Sequence, residues 1–130
     1  MNERFYNTAA RKGFHWPGRI LAGEGVLENW LAERGTGGLA VVADRAFADH
    51  PLVRRAGGPH ALVAREPNRD DIAAIAGEIA AAPPAAILAL GGGATIDAAK
   101  AVAAQLRYGT LDIRDRPRAA ILPHLVAAPT

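Results

Sequence analysis

Leu88-Ala89-Leu90-Gly91-Gly92-Gly93-Ala94-Thr95-Ile96-Asp97-Ala98-Ala99-Lys100 reads as a buried strand, a triple-glycine turn and the opening turns of a helix. A strand that ends in glycines and feeds a helix builds an anion site. Without Cβ atoms the backbone can approach a phosphate closely and take positive φ, and the first helical N–H groups point outward unpaired. That is the chemistry of a nucleotide pyrophosphate cradle. The same turn also serves plain packing of a helix on a strand, so by itself it leaves both readings open. The spacing is not that of the common dinucleotide fingerprint, which would place a third glycine where this chain has Ile96 and an acid about 20 residues further on. Asp112 and Asp115 fall near that distance, but in an arginine-rich loop. No Gly-Lys-Ser/Thr follows, so it is not a P-loop either.

Outward from this turn, short apolar runs alternate with helical patterns. Before it, Phe14 to Leu21 is an apolar extended run broken by Pro17-Gly18, expected as an edge strand or hairpin. Gly23-Glu24-Gly25 then turns into a helix over about 26–34, with Val26, Leu27, Trp30 and Leu31 on one face. Leu39 to Ala43 is a continuous apolar strand ending at Asp44, and a helix disturbed by Pro51 is expected over Arg45 to Ala56. Ala61 to Ala64 is the next strand. Asn68 is a candidate N-cap for the helix after it, with Asp71 completing a capping box and Ile72, Ile75, Ala76 and Ile79 facing inward. Ala86 to Leu90 precedes the glycines, and Thr95 to about Tyr108 is helical. Ala119 to Leu122 and Leu125 to Ala128 are two further apolar runs. This alternation predicts an α/β fold, a Rossmann-like parallel sheet with helices on both faces, in a single domain over residues 1–130.

Composition narrows the function. In 130 residues, half of them hydrophobic and 22% charged, the net charge is only +2, and no basic stripe with interleaved aromatics points to nucleic acid. The absence of cysteine excludes disulfides and thiolate metal sites. The polar stretch Met1 to Lys12 has no apolar signal region, and no run approaches the 18 apolar residues of a membrane span, so a cytoplasmic location is expected. His15, His50, His60 and His124 are scattered, each more simply a surface or satisfied core residue than a ligand.

In an open parallel sheet ligands bind outside the carboxyl ends of the strands. Asp44, Asn68 and Gly91–Gly93 each follow a predicted strand and are expected along one edge. A carboxylate at position 44 can accept from both hydroxyls of an adenosine ribose and repels a 2′-phosphate, which favours NAD over NADP. Asp44 can equally be a turn cap. Asp97, near the helix start, complements the macrodipole, and Lys100 can lie along the helix surface.

At these residues the chain resembles the nucleotide-binding half of the iron-containing alcohol dehydrogenase family, related to glycerol dehydrogenase and dehydroquinate synthase. Its pattern G-G-G-S-x-x-D-x-A-K matches Gly91 to Lys100 except at Ala94, where one hydroxyl that could meet a phosphate is missing. Gly23-Glu24-Gly25 is similar to the family's F-G-x-G turn, with Ala22 in place of Phe. Val41 to Asp44 is similar to its V-x-D strand end, and Glu66-Pro67-Asn68 to its P-N element. Leu125 to Thr130 looks like the start of its I-P-T-T-x-G-T-G-S segment. The resemblance implies that Asp44, Asn68, Gly91, Gly92, Gly93, Ala94, Thr95, Asp97 and Thr130 bind a nicotinamide dinucleotide, NAD rather than NADP.

It further implies hydride transfer between a small alcohol or aldehyde and the dinucleotide, with a divalent metal such as iron or zinc as Lewis acid. In the family that metal is held by a C-terminal helical domain, which these 130 residues lack. The expectation is therefore the cofactor half of an oxidoreductase, truncated or split and inactive alone. A separate chain would bring the helical domain, and a homodimer fits the family habit. The alternative is a non-catalytic remnant that binds a nucleotide or a protein. A dehydroquinate-synthase-like lyase fits Ala98-Ala99-Lys100 less well.

Overall fold

The computed structural model describes residues 18–109, 111, 112, 114 and 123–130. Four strands, β1 (Leu39–Asp44), β2 (Ala61–Val63), β3 (Ala86–Gly91) and β4 (His124–Pro129), form one sheet in the order β2-β1-β3-β4. Every neighbouring pair is parallel. Four α-helices connect or flank them: α1 (Val26–Arg34), α2 (Pro51–Arg55), α3 (Arg69–Ile79) and α4 (Gly93–Tyr108).

The period-two alternation of the strands sorts the core into two layers. Ala40, Val42, Ile87 and Ala89 face α3 and α4, while Leu39, Val41, Leu88 and Leu90 face α1 and α2. All six residues of β3 are buried, which is why it reads as an unbroken apolar run with no polar face. Each large side chain buried there contributes on the order of 1.5–3 kcal/mol by leaving water. Ala98, Ala99 and Ala103 let α4 lie close on the sheet, with Val102 fully buried among them. Helices thus cover both faces, as the alternation predicts.

The expected helix over 45–56 divides in two. Asp44 accepts the Ala46 N–H at 2.8 Å and caps a 3-10 turn, Arg45–Phe47, before α2 starts at Pro51. Proline lacks the N–H and clashes in a helix interior but is suited to a first turn, and it holds His50 extended. The His50 imidazole accepts the Leu52 N–H at 3.2 Å, and the His60 imidazole accepts the Val41 N–H at 3.0 Å. Both histidines serve the backbone. Half of the extended run expected over 14–21 lies outside the described residues, and its remainder, 18–21, takes no regular structure. The 119–122 run and Asp115 also lie outside them.

The Asn68 capping box forms as read. Its side-chain oxygen accepts the Asp71 N–H, and the Asp71 carboxylate accepts the Asn68 N–H, both at 2.9 Å. That backbone N–H, and after it the Arg65 guanidinium, holds the Asp71 carboxyl below its ordinary range. A depressed native value makes this contribution complete above the ordinary carboxylate range and lost as pH falls through the native value. Asn68→Ala is expected to lower stability by about 1 kcal/mol at neutral pH. Because alanine keeps the backbone N–H at position 68, that deficit should persist in acid, whereas the deficit of Asp71→Ala in urea unfolding should shrink as pH falls toward 2. An Asp71→Ala deficit that stays constant with pH would overturn the account of the Asp71 carboxylate.

Candidate nucleotide site

Registration of the strands brings all four carboxyl ends to one edge, with Asp44 opposite Val63 and Gly91 opposite Pro129. From β1 the chain turns through α2 on one face to β2, and from β3 it turns through α4 on the other face to β4. The winding reverses between β1 and β3, and a crevice at such a switch point is where open α/β sheets bind ligands. Asp44 and Gly91 are the last residues of those two strands.

The three glycines are not equivalent. A Cβ on Gly91 would lie 2.6 Å from Thr95 Oγ1 and 2.9 Å from both Asp44 Cβ and Thr95 Cβ, and its φ of 157° already disfavours a side chain. Gly91 is glycine because the chain itself fills the space. Gly92 is extended, with φ −84°, and a Cβ on Gly92 or Gly93 meets nothing within 4 Å. No packing or backbone requirement within the described residues explains these two glycines. At Gly93, the first residue of the helix, the lack of a side chain costs up to about 1 kcal/mol relative to alanine, whereas Gly92 stands at the N-cap, a position that tolerates glycine.

Gly92 is the N-cap of α4 and offers no side-chain cap. The N–H groups of Gly93 and Ala94 therefore lack a helical acceptor beside this space, at the positive end of a 16-residue helix. The helix begins two residues before the expected Thr95. This moves Asp97 out of the first turn to an exposed position, where it pairs with Lys100 at 3.3 Å. Thr130 donates its N–H to Gly91 O at 3.2 Å, so it borders the cradle.

Asn68 is a different case. Its side-chain oxygen caps α3 beyond the end of the edge strand β2, and its exposed amide nitrogen keeps its donors. Asp112 is engaged by Arg114, which raises the pKa of that guanidinium, and is no strand-end acid. Thr95 is 1% exposed and its hydroxyl has no hydrogen-bond partner, a condition that costs about 1–3 kcal/mol. Its burial was not visible in the sequence, where residues on either side of it differ in kind. A groove of about 670 Å³ lies between α1 and β4, lined by Trp30, Leu27 and Val126 among others, and includes neither Asp44 nor Gly92 or Gly93.

Among the described residues no group of three His, Cys, Asp or Glu side chains could hold a metal ion. None of their helices is long and apolar enough to cross a membrane. The family profile for iron-containing alcohol dehydrogenase matches residues 17–130. The chain is also similar to a solved iron-containing alcohol dehydrogenase from Thermococcus thioreducens, with 24% identity and a TM-score of 0.65. That match covers 86% of this chain and 35% of the other, so the chain spans about a third of that protein, and at this identity the likeness speaks for the fold. No curated protein sequence matches significantly.

Proposed function

Because the chain belongs to the iron-containing alcohol dehydrogenase family, we propose that the edge formed by Asp44 and Gly91–Gly93 holds the nicotinamide dinucleotide of an alcohol-oxidising enzyme. The observation that carries this reading is the bare backbone of Gly92 and Gly93 over the uncapped start of α4. Pyrophosphate oxygens would accept from the open N–H groups there, while Asp44, across Gly91, accepts from the ribose hydroxyls. Ala94 and Thr130 border the same space, and Asp97, one turn further along α4, would meet an uncharged part of the cofactor. Asn68 caps α3 through its oxygen and keeps an amide N–H pair with which to meet the cofactor.

A bound dinucleotide supplies the hydride acceptor. This chain's residues bind and orient it. The described residues do not assemble a metal centre, so the metal named in the family's description has no ligand set among them. That part of the machine, and the choice of alcohol, would belong to further residues or to a partner chain.

Calorimetric titration of the chain with NAD and NADP tests the reading. Wild type is expected to favour NAD. Asp44→Ala is expected to weaken NAD on the order of tenfold to a hundredfold, the worth of hydrogen bonds to one charged group, and to leave NADP no weaker. Absence of heat with both nucleotides would overturn the proposal.

A further inference from the structure

The Thr95 hydroxyl is the one buried side-chain polar atom without a hydrogen bond among the described residues. It lies in the first turn of α4, within 3 Å of the point a Gly91 Cβ would occupy, and the Asp44 Cβ lies within 3 Å of that same point. Of the Asp44 oxygens, Oδ1 takes the Ala46 N–H, and Oδ2 has no bond among the described residues. A donor without an acceptor and an acceptor without a donor thus flank one glycine. Nothing in the empty fold uses the hydroxyl, since valine would fill the same volume without burying a polar atom.

We infer that Thr95 is a positioning residue for Asp44. With a dinucleotide in the cradle, a turn of the Asp44 side chain brings its carboxylate to the Thr95 hydroxyl, which donates to it and holds it toward the ribose. A carboxylate only accepts, so its direction is set by the donors around it. The Ala46 N–H engages one oxygen in the empty fold, and the hydroxyl supplies a second donor from inside it. This inference rests on the reading of Asp44 in the preceding subsection and adds the group that aims it.

The test is a double-mutant cycle on dinucleotide binding, read by calorimetry with NAD and NADP. Thr95→Val is expected to weaken NAD about tenfold, as for one hydrogen bond to a charged group, and to leave NADP unchanged, so discrimination narrows. Thr95→Ser should restore it. In an Asp44→Ala background Thr95→Val should cause no further loss. The melting temperature of empty Thr95→Val should equal or exceed that of wild type. If this variant fails to fold, Thr95→Ala enters the same cycle. Equal losses for NAD and NADP, or the same loss without the Asp44 carboxylate, would show a merely structural role and overturn the inference. Wild type that binds NAD, with Thr95→Val binding it equally well, overturns it alone. Wild type that binds neither dinucleotide overturns the reading of the site, and this inference with it.

Discussion

Gly91→Ala is expected to lower the unfolding free energy by about 3 kcal/mol, combining overpacking with an unfavourable backbone conformation. A single methyl has this effect because of where it would point. It would meet Thr95 Oγ1 at 2.6 Å, and Asp44 Cβ and Thr95 Cβ at 2.9 Å. Two of these three atoms are Cβ atoms, fixed to backbone that cannot swing aside as the end of a long side chain could. Relief requires separating β1 from β3 or lifting the first turn of α4, and both are anchored. Ala43 and Leu90 pair in the ladder just below, and Ala98 and Ala99 are fully buried against the sheet. Gly93→Ala is the control, because its Cβ meets nothing within 4 Å and alanine is the better helix former. Urea unfolding followed by circular dichroism should give a lower midpoint for Gly91→Ala and an unchanged or higher one for Gly93→Ala. Equal midpoints would remove the steric account of Gly91.

That contrast also marks how far the sequence could be read. The sheet was legible because β1 and β3 are short runs of apolar residues bounded by glycine, acid or proline, and buried parallel strands leave no other pattern. Helices on both faces then followed from the alternation, whereas the strand order β2-β1-β3-β4 is set by long-range pairing that no local pattern shows. The Asn68 box was legible because capping depends on residues three apart in sequence. The start of α4 was misplaced by two residues because helix initiation at Gly93 depends on tertiary packing, and glycine propensity argues against it. The break at Pro51 was marked in the sequence, but the 3-10 turn before it depends on the Asp44 carboxylate capping Ala46.

The site was legible by residue type and not by role. Asp44 and Gly91 are 47 positions apart, and only the β1–β3 register shows that they touch. Asn68 follows a strand as Asp44 does, yet it ends beside the edge strand with its oxygen already bonded. Thr95 falls between Ala94 and Ile96 with nothing local to show that its hydroxyl is sealed inside. Three adjacent glycines look interchangeable as letters. The structure separates one required by packing from two that packing leaves unexplained.

Those two carry the largest expected effect on binding. Gly93→Val should abolish measurable dinucleotide binding, at least about a hundredfold, while leaving the fold intact. The fold is spared because Gly93 is the first residue of α4, exposed, with open space where a side chain would go. A branched residue there costs only a few tenths of a kcal/mol in helix propensity relative to other non-glycine residues, and gains over glycine. Binding is lost because the isopropyl group would stand over the N–H groups that the uncapped helix start presents. Two or more backbone donors to a pyrophosphate would be denied, each worth about 1.5–3 kcal/mol to a charged acceptor. Far-UV circular dichroism and the melting temperature report the fold, and calorimetry reports the affinity. Since Gly91→Ala would disturb both, only the Gly93 variant separates cradle from core. Undiminished affinity in a folded Gly93→Val chain would mean that the phosphates approach elsewhere, and that the bareness of α4 serves no ligand.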